Sequence, residues 1–456
     1  MSGARRGRRW LVVLFLLTLP LVTPRIRGAD EIEGFAYLRS AVFDRDLDFE
    51  DEYRWFYARD PEGLRGFKET FLDRREPATG RPINFAPLGS ALLWSPFYLL
   101  AHAGVAAARG LGSSVAADGF SLPYAAAACY ASALYGFLGL LLVHDGLIRF
   151  GGFGPAAATM AVATLWLGTP VLYYMTLAPA FSHAASLFMV ALVLWLWLRA
   201  RSRPATAPWE WAVVGAAGGI AGLVREQDLL FLVVPAADLA WQALRGSERA
   251  RALARLALLV AAAAFSFAPQ LLAYRAVNGS FGPSHLVARK MSYLSPHFLE
   301  VLFDPGHGLF AWAPVLLVAT AGILLAARRR AGVVVLLAGA LLLQVWINGA
   351  VESWTQAGAF GSRRFVSSTP VFAWGLAAIL EAALARTGRA TVACAAALVV
   401  WWNVSLMAQF GLRLMDRQRL EWPRVAVNQV TEVPPRLARA AWLFLTDRER
   451  LVQETR

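Results

Sequence analysis

The chain has 456 residues, of which 57% are hydrophobic and 16% charged. Apolar stretches near the ~20 residues needed to cross a bilayer recur along it, which excludes an ordinary soluble globular protein. The formal net charge is +13, but the arginines fall mostly in short clusters between apolar stretches. There they set membrane topology, so the charge does not indicate nucleic-acid binding.

The two cysteines, Cys129 and Cys394, each lie inside an apolar stretch. That placement implies neither a disulfide framework nor a cysteine metal site, and packing is their expected role.

The first apolar run, residues 10–22, follows an arginine cluster at residues 5–9. It resembles a signal peptide, but no small-x-small cleavage site follows it, whereas Arg25 and Arg27 do. We therefore predict an uncleaved first span with a cytoplasmic N-terminus. The loop at residues 24–85 then faces outward, and it carries 14 of the 31 acidic residues.

The segment at residues 86–108 decides the predicted topology. If it crosses, the arginine clusters at 199–203, 245–251 and 328–330 lie outside; if it does not, all three lie inside. Because the segment also contains two prolines, we predict a broken or interfacial pair of helices that does not cross. An ordinary span, with an exception elsewhere, is the alternative.

Ten further apolar stretches predict spans, which gives an all-α polytopic membrane bundle with eleven crossings over residues 1–412. Residues 413–456 then form a basic outer tail. The ten spans are predicted at residues 122–148, 155–174, 180–198, 209–224, 229–244, 253–274, 309–326, 331–347, 370–384 and 390–412.

This topology collects the unusual polar residues on the outward face, whereas the inward connections are short and mainly arginine. Ionisable residues at the membrane edge are costly unless they are solvated or paired, so their convergence predicts a site for an anionic group at headgroup level. The outward residues are Asp30, Glu31, His183, Arg225, Glu226, Arg289, Lys290, His307, Glu352, Trp354, Arg363 and Arg364.

Each of these positions also has a purely structural interpretation. The acidic pair can be solvated loop charges, His183 can cap the helix that begins there, and Arg363 and Arg364 can snorkel to the interface. Two features favour a phosphate site at the arginine pair. The glycine-rich stretch at 358–362 lets backbone approach a phosphate closely, and the planar guanidinium matches phosphate oxygens.

Three motifs together resemble the GT-C class of polytopic glycosyltransferases. They are the Asp30-Glu31 pair after the first span, the Asn-Phe-Ala-Pro-Leu-Gly run at 84–89, and the Gly-Ser-Arg-Arg-Phe run at 361–365. The most similar branch would be the bacterial relatives of protein O-mannosyltransferases and of the lipid A aminoarabinose transferase. The resemblance covers roughly residues 8–385.

The resemblance implies inverting transfer of a sugar from a polyprenyl-phosphate donor to a lipid, glycan or protein acceptor at the outer face of the cytoplasmic membrane. It implies Asp30 as general base. Glu31 is its neighbouring alternative, and His183 stands where many relatives carry a second acidic residue. No cofactor is implied. The expected donor-phosphate ligands are Arg363, Arg364, Arg289, Lys290 and Arg225, and the expected substrate contacts are Asn84, Glu226, Glu352, Trp354 and His307.

Two other functional classes remain open at this stage. A transporter or flippase of a lipid-linked saccharide would share the apolar spans. Asp238, a charged residue inside a predicted span, keeps that alternative open. A non-catalytic scaffold would need no outward polar cluster. We predict no metal site, because no ligand set has convincing spacing, and the sequence does not indicate which sugar or acceptor is used.

Overall fold

The structure is a computed structural model that describes residues 2–450 apart from 204, 205, 247, 357, 448 and 449. The described chain contains helices and loops, and its β-type pairing is confined to two isolated bridges, Arg75 with Pro82 and Met291 with Val351. The predicted all-α fold class is therefore confirmed.

The first half of the chain supplies the N-terminal helix, two helices in the long first loop and six further helices. Short 3-10 or π-helical segments lie at residues 19–21, 40–44 and 68–72. The helices are α1 (Ser2–Thr18), α2 (Ala29–Arg39), α3 (Glu50–Tyr57), α4 (Gly89–Gly110), α5 (Leu122–Arg149), α6 (Pro155–Leu167), α7 (Pro170–Thr176), α8 (His183–Arg201) and α9 (Pro208–Val224).

The second half continues the bundle and ends in two shorter helices. Further 3-10 segments cover Glu226–Leu232 and Arg363–Ser368. The helices are α10 (Val233–Arg245), α11 (Arg249–Asn278), α12 (His285–Ala288), α13 (Phe298–Phe303), α14 (Leu309–Trp312), α15 (Val315–Gly349), α16 (Thr369–Thr387), α17 (Arg389–Gly411), α18 (Trp422–Thr431) and α19 (Val433–Thr446).

Seven of the described helices are long and apolar enough to cross a membrane. An eighth is reached if α6 and α7, which meet at 66°, count as one broken span. This chain is a multi-pass membrane protein. The total of eleven crossings stays a prediction, because several predicted spans are short or irregular helices.

The segment at residues 86–108 forms one continuous helix, so the prediction of a broken pair is wrong. Pro96 lies inside α4 and cannot donate to the carbonyl of Leu92. The Ser95 hydroxyl donates to that carbonyl instead, at 2.8 Å. This side-chain hydrogen bond explains how the helix continues past the proline.

Helix α4 lies antiparallel beside the first half of α5. The Trp94 indole donates to the Ser132 hydroxyl at 2.7 Å, and Tyr135 donates to the Leu93 carbonyl at 3.0 Å. Farther along, the ring of His102 hydrogen-bonds the Tyr124 hydroxyl. These contacts pair residues 93–102 with residues 124–135, and the predicted interfacial position of α4 stays a prediction.

The range labelled α15 contains two helical arms, which correspond to the two spans predicted at residues 309–326 and 331–347 and which meet at a kink. Its backbone leaves the helical conformation at Arg330, with φ −139° and ψ 54°. Gly322 in its first arm packs directly on the backbone of Gly375 in α16, where an added Cβ would collide with the Gly375 carbonyl oxygen. Small residues at such crossings let membrane helices approach closely.

The helices bring their connections to two ends of the bundle. We call one the site end; it contains the starts of α2, α8 and the 363–368 segment and the ends of α9 and α15. The other, the opposite end, joins α1 to α5 through Arg8 and Asp145, and α8 to α10 through Arg201 and Asp238.

Candidate active site

Asp30 occupies the first turn of α2, where a carboxylate is favoured by the helix dipole. Its side chain is 51% exposed, and its Oδ2 lies 2.9 Å from Nη1 of Arg363. Residues that are more than 300 positions apart in the sequence thus form one ion pair. The half-exposed carboxylate keeps one side free for a substrate hydroxyl.

Glu31 has a different role from its neighbour. Its Oε2 accepts the backbone N–H groups of Arg27 and Gly28, both at 2.8 Å, which caps α2. Burial raises the pKa of Glu31 to about 7, although those two hydrogen bonds act in the opposite direction. The carboxylate that faces outward from this turn is therefore that of Asp30.

Arg363 begins a 3-10 segment and lies under an aromatic ring. Its guanidinium carbon is 5.1 Å from the ring centroid of Phe181, and its side chain is 17% exposed. The preceding Gly361 has φ +59°, and a Cβ there would come within 2.7 Å of Pro170. The glycine is required for this close approach, which fixes where the arginine pair begins.

Arg225 contacts the first turn of α8. Its Nη1 donates to the hydroxyl of Ser182 and to Nδ1 of His183, both at 3.2 Å. An imidazole nitrogen that accepts from a guanidinium is unprotonated, so the His183 proton resides on Nε2. That Nε2 is buried and has no hydrogen-bond partner within the described ranges.

Arg364 is linked to Arg225 through one glutamine. Gln227 accepts from Nη2 of Arg225 at 3.0 Å and donates to the backbone carbonyl of Arg364 at 2.8 Å. Arg364 Nη2 donates to the Ser353 hydroxyl at 3.2 Å. Its Nη1 and the Nε of Arg225 are buried without an acceptor among the described residues.

The charges at this site do not balance. Arg363 pairs with Asp30, whereas Arg225 and Arg364 make their side-chain contacts with uncharged groups. A second carboxylate, Asp228, accepts from Ser186 at 2.5 Å. Burial raises the pKa of Asp228 to about 7, so it offsets the arginines only in part. The surplus positive charge, with buried donors that lack acceptors, suits an anionic group such as a phosphate.

Four of the expected ligands lie outside this cluster. Arg289, Lys290 and Glu352 have exposed side chains. The Lys290 ammonium is 5.6 Å from the ring centroid of Phe85, and Trp354 stacks on His297. These four residues lie away from the arginine cluster. Their contacts with donor or acceptor stay predictions.

Three further residues that were expected to contact substrate make hydrogen bonds within the protein. The buried Asn84 amide donates to the Glu33 carbonyl at 3.1 Å, which fastens the loop to α2. Glu226 accepts from the Tyr274 hydroxyl. His307 is buried, with Nε2 2.7 Å from the Ala359 carbonyl oxygen.

Sequence reasoning missed several residues that shape the cluster. Gln344 exchanges two hydrogen bonds with Gln227, each at 3.0 Å, and so ties the end of α15 to the arginines. A polar residue inside an apolar helix was the signal that could have revealed Gln344. No sequence signal marks Phe181, a single aromatic residue in the turn between α7 and α8.

No protein-family model and no curated protein matches this chain. Among solved structures, the chain is similar to ArnT from Cupriavidus metallidurans bound to undecaprenyl phosphate. The identity is 18%, the similarity covers 93% of this chain and 74% of ArnT, and the TM-score is 0.46. A similarity of this size assigns no activity to this chain.

Within the described ranges, no group of three or more His, Cys, Asp or Glu side chains is arranged to hold a metal ion. The arrangement at the site end instead offers a carboxylate beside a set of guanidinium donors. Such a site can remove a proton at one position and stabilise negative charge at another.

Proposed function

We propose that this protein transfers a sugar from a polyprenyl-phosphate donor to an acceptor hydroxyl at the outer face of the cytoplasmic membrane. Asp30 acts as general base, and Arg225, Arg363 and Arg364 hold the donor phosphate. The observation that carries the proposal is the half-exposed Asp30, paired with Arg363, together with buried donors of Arg225 and Arg364 that have no acceptor among the described residues.

The energetics of those donors favour an anionic ligand. A buried donor without a partner costs about 1 to 3 kcal/mol, and more when it belongs to a charged group. A phosphate would supply acceptors to Arg225 Nε and Arg364 Nη1 together, and charge-assisted hydrogen bonds are about twice as strong as neutral ones. Hydrogen bonds from these donors to a bound phosphate would therefore contribute to the affinity for the donor.

The chemical step is a single displacement. The acceptor oxygen forms a bond to the anomeric carbon as Asp30 takes the hydroxyl proton, and the bond from that carbon to the phosphate oxygen breaks. The electron pair leaves with the polyprenyl phosphate, whose charge the arginines stabilise. One displacement inverts the anomeric centre.

The ion pair between Asp30 and Arg363 implies an order of events. While Arg363 donates to the Asp30 carboxylate, that carboxylate is less available to a hydroxyl. A donor phosphate competes for the same guanidinium, so donor binding frees Asp30 to accept the acceptor proton. We therefore propose that the donor binds before the acceptor is activated.

The transporter alternative loses its main support in this structure. Asp238 is buried and accepts from the Trp197 indole at 3.0 Å and from Arg201 at the opposite end. A carboxylate with two fixed partners has a structural role. It is not free to bind a cargo ion or sugar.

The test uses the full chain in lipid nanodiscs with a radiolabelled polyprenyl-phosphate sugar. Protein-dependent release of polyprenyl phosphate, together with label in an acceptor, is expected. Movement of intact lipid across vesicles without such release would favour the transporter and contradict the proposal. A panel of donors that differ in the sugar then identifies the one transferred.

A further inference from the structure

The last two described helices, α18 and α19, each have an exposed apolar face. On α18 this face contains Trp422, Ala426 and Val430, at positions i, i+4 and i+8; Trp422 is 41% exposed and Val430 76%. On α19 it contains Trp442 and Leu445, exposed at 66% and 79%. Large apolar side chains grouped in this way mark a contact surface.

The spacing shows that these residues share one side of each helix. In α19, Ala438, Ala441, Trp442 and Leu445 fall at positions i, i+3, i+4 and i+7 and are all exposed. On the opposite side of that helix, Leu443 is buried and Arg436 is about half exposed. Helix α19 is therefore amphipathic with its apolar side outward, the reverse of a water-facing helix.

The apolar faces continue the surface of a membrane-spanning helix. Trp422 at the start of α18 stacks on Trp402 of α17, with ring centroids 5.2 Å apart. Gln409 of α17 donates to the Val425 carbonyl at 3.2 Å. Helix α17 itself exposes Leu398 at 71%, so the two short helices extend an apolar surface that already faces lipid.

The polar side of the two helices carries arginine. Arg424 on α18 and Arg436 on α19 are about half exposed and paired with Glu421 and Glu432 at 3.2 and 2.8 Å. Aromatic residues on the apolar side and arginines on the polar side are typical of helices that lie in the plane of a membrane interface.

The link to the site end fixes which interface is involved. The Gln418 side chain accepts the backbone N–H of Gly358 at 3.0 Å, and the backbone N–H of Leu420 donates to the Pro305 carbonyl at 3.0 Å. The chain between α17 and α18 thus touches the glycine-rich stretch that precedes Arg363. We propose that α18 and α19 lie on the bilayer at the site end, with their apolar faces among the lipid chains.

This proposal does not rest on the sugar transfer proposed above. It makes the bilayer itself the partner of the C-terminal segment. A membrane contact here would hold the 358–362 stretch at headgroup depth, where a lipid-linked phosphate resides.

The experiment places a fluorescent label on single cysteines of the full chain in lipid nanodiscs. The parent carries Cys394→Ala, whose remaining thiol, Cys129, is buried; the signal of the labelled parent is subtracted. Val430→Cys and Leu445→Cys report the apolar faces. Thr431→Cys and Arg436→Cys are matched controls on the polar side of the same helices.

Phosphatidylcholine with a nitroxide on its acyl chain should quench the labels at 430 and 445 at least about threefold more strongly than those at 431 and 436. Aqueous iodide should give the reverse order. Equal exposure of all four labels to iodide would overturn the proposal. Labels at 430 and 445 shielded from both quenchers would also overturn it, because a protein surface would then cover the face.

Discussion

The two ends of the bundle differ in how most of their arginines are partnered. At the opposite end, Arg201 pairs with the buried Asp238, and Arg329 pairs with Glu381, although Arg255 there also keeps a buried Nε–H without an acceptor among the described residues. At the site end, Arg225 and Arg364 each keep a buried N–H group without an acceptor among the described residues. Paired charges stabilise a fold, whereas surplus donors held in place are available to a ligand.

The ion pairs of both ends join helices that do not follow each other in the chain. At the opposite end, Arg201 of α8 meets Asp238 of α10. At the site end, Asp30 in the first loop pairs with Arg363, more than 300 positions later in the sequence. Four measurements test the difference between the two ends.

The largest expected effect is in cysteine labelling, where each position should react either fully from outside or only after the membrane is opened. Leu111→Cys and Leu294→Cys, both highly exposed at the site end, should react with a membrane-impermeant thiol reagent from outside. Arg149→Cys, exposed at the opposite end, should react only after the membrane is opened. Labelling of Leu111→Cys only after opening would show that α4 crosses and that the predicted topology is wrong.

Asp30→Asn should reduce turnover by ~10² or more while the protein still folds, because a half-exposed general base is lost. Asp238→Asn is the matched control at the opposite end. It should lower stability by about 1 to 3 kcal/mol, since two donors lose charge-assisted bonds. Its turnover per folded molecule should be unchanged.

Near-normal turnover of Asp30→Asn would remove the base assignment. Loss of turnover in Glu31→Gln alone would assign the general-base role to Glu31.

Arg363→Ala and Arg364→Ala should each weaken donor binding by ~10-fold to 10²-fold, as expected for one lost charge-assisted contact to phosphate. Lysine at either position should restore binding only in part, because it keeps the charge without the planar fork. Arg329→Ala at the opposite end should leave donor affinity unchanged. A direct binding assay that gives parental affinity for both site-end variants would place the phosphate elsewhere, with Arg289 and Lys290 the next candidates.

The fourth measurement concerns the pH dependence of stability. The pKa of Glu31 is raised from 4.5 to about 7 in the folded protein. The folded state therefore loses stability as the pH rises from about 4.5 through 7, by up to about 3 kcal/mol. Glu31→Gln removes this loss, so its melting temperature relative to the parent should increase between pH 5 and pH 8.5. A constant difference across that range would show that Glu31 does not titrate there.

Much of the fold could be predicted from the sequence, because membrane helices are determined by local composition. Apolar stretches bounded by arginines and prolines gave spans close to α5, α8, α11 and α17, since each residue in lipid must satisfy its backbone within the helix. The segment at 86–108 was mispredicted for a local reason too. A hydroxyl at Ser95 compensates Pro96, and such compensation is not visible in a hydropathy pattern.

The sequence could predict which residues belong to the candidate site, but not which of them contact one another. One rule, that ionisable residues at a membrane edge are costly unless solvated or paired, identified Asp30, His183, Arg225, Arg363 and Arg364 on the predicted outward face. The same rule identified Arg289, Lys290, Glu352, Trp354 and His307, although they lie outside the cluster.

The sequence by itself determined the helical membrane class, the sided distribution of charge and the residue types available for chemistry. Tertiary structure decided which of them meet. In the folded protein, Asp30 pairs with Arg363, and Glu31 caps α2. Guanidinium donors of Arg225 and Arg364 are buried without acceptors among the described residues. The physical reason is that helix formation depends on neighbouring residues, whereas a site depends on long-range packing of helix ends that share no sequence pattern.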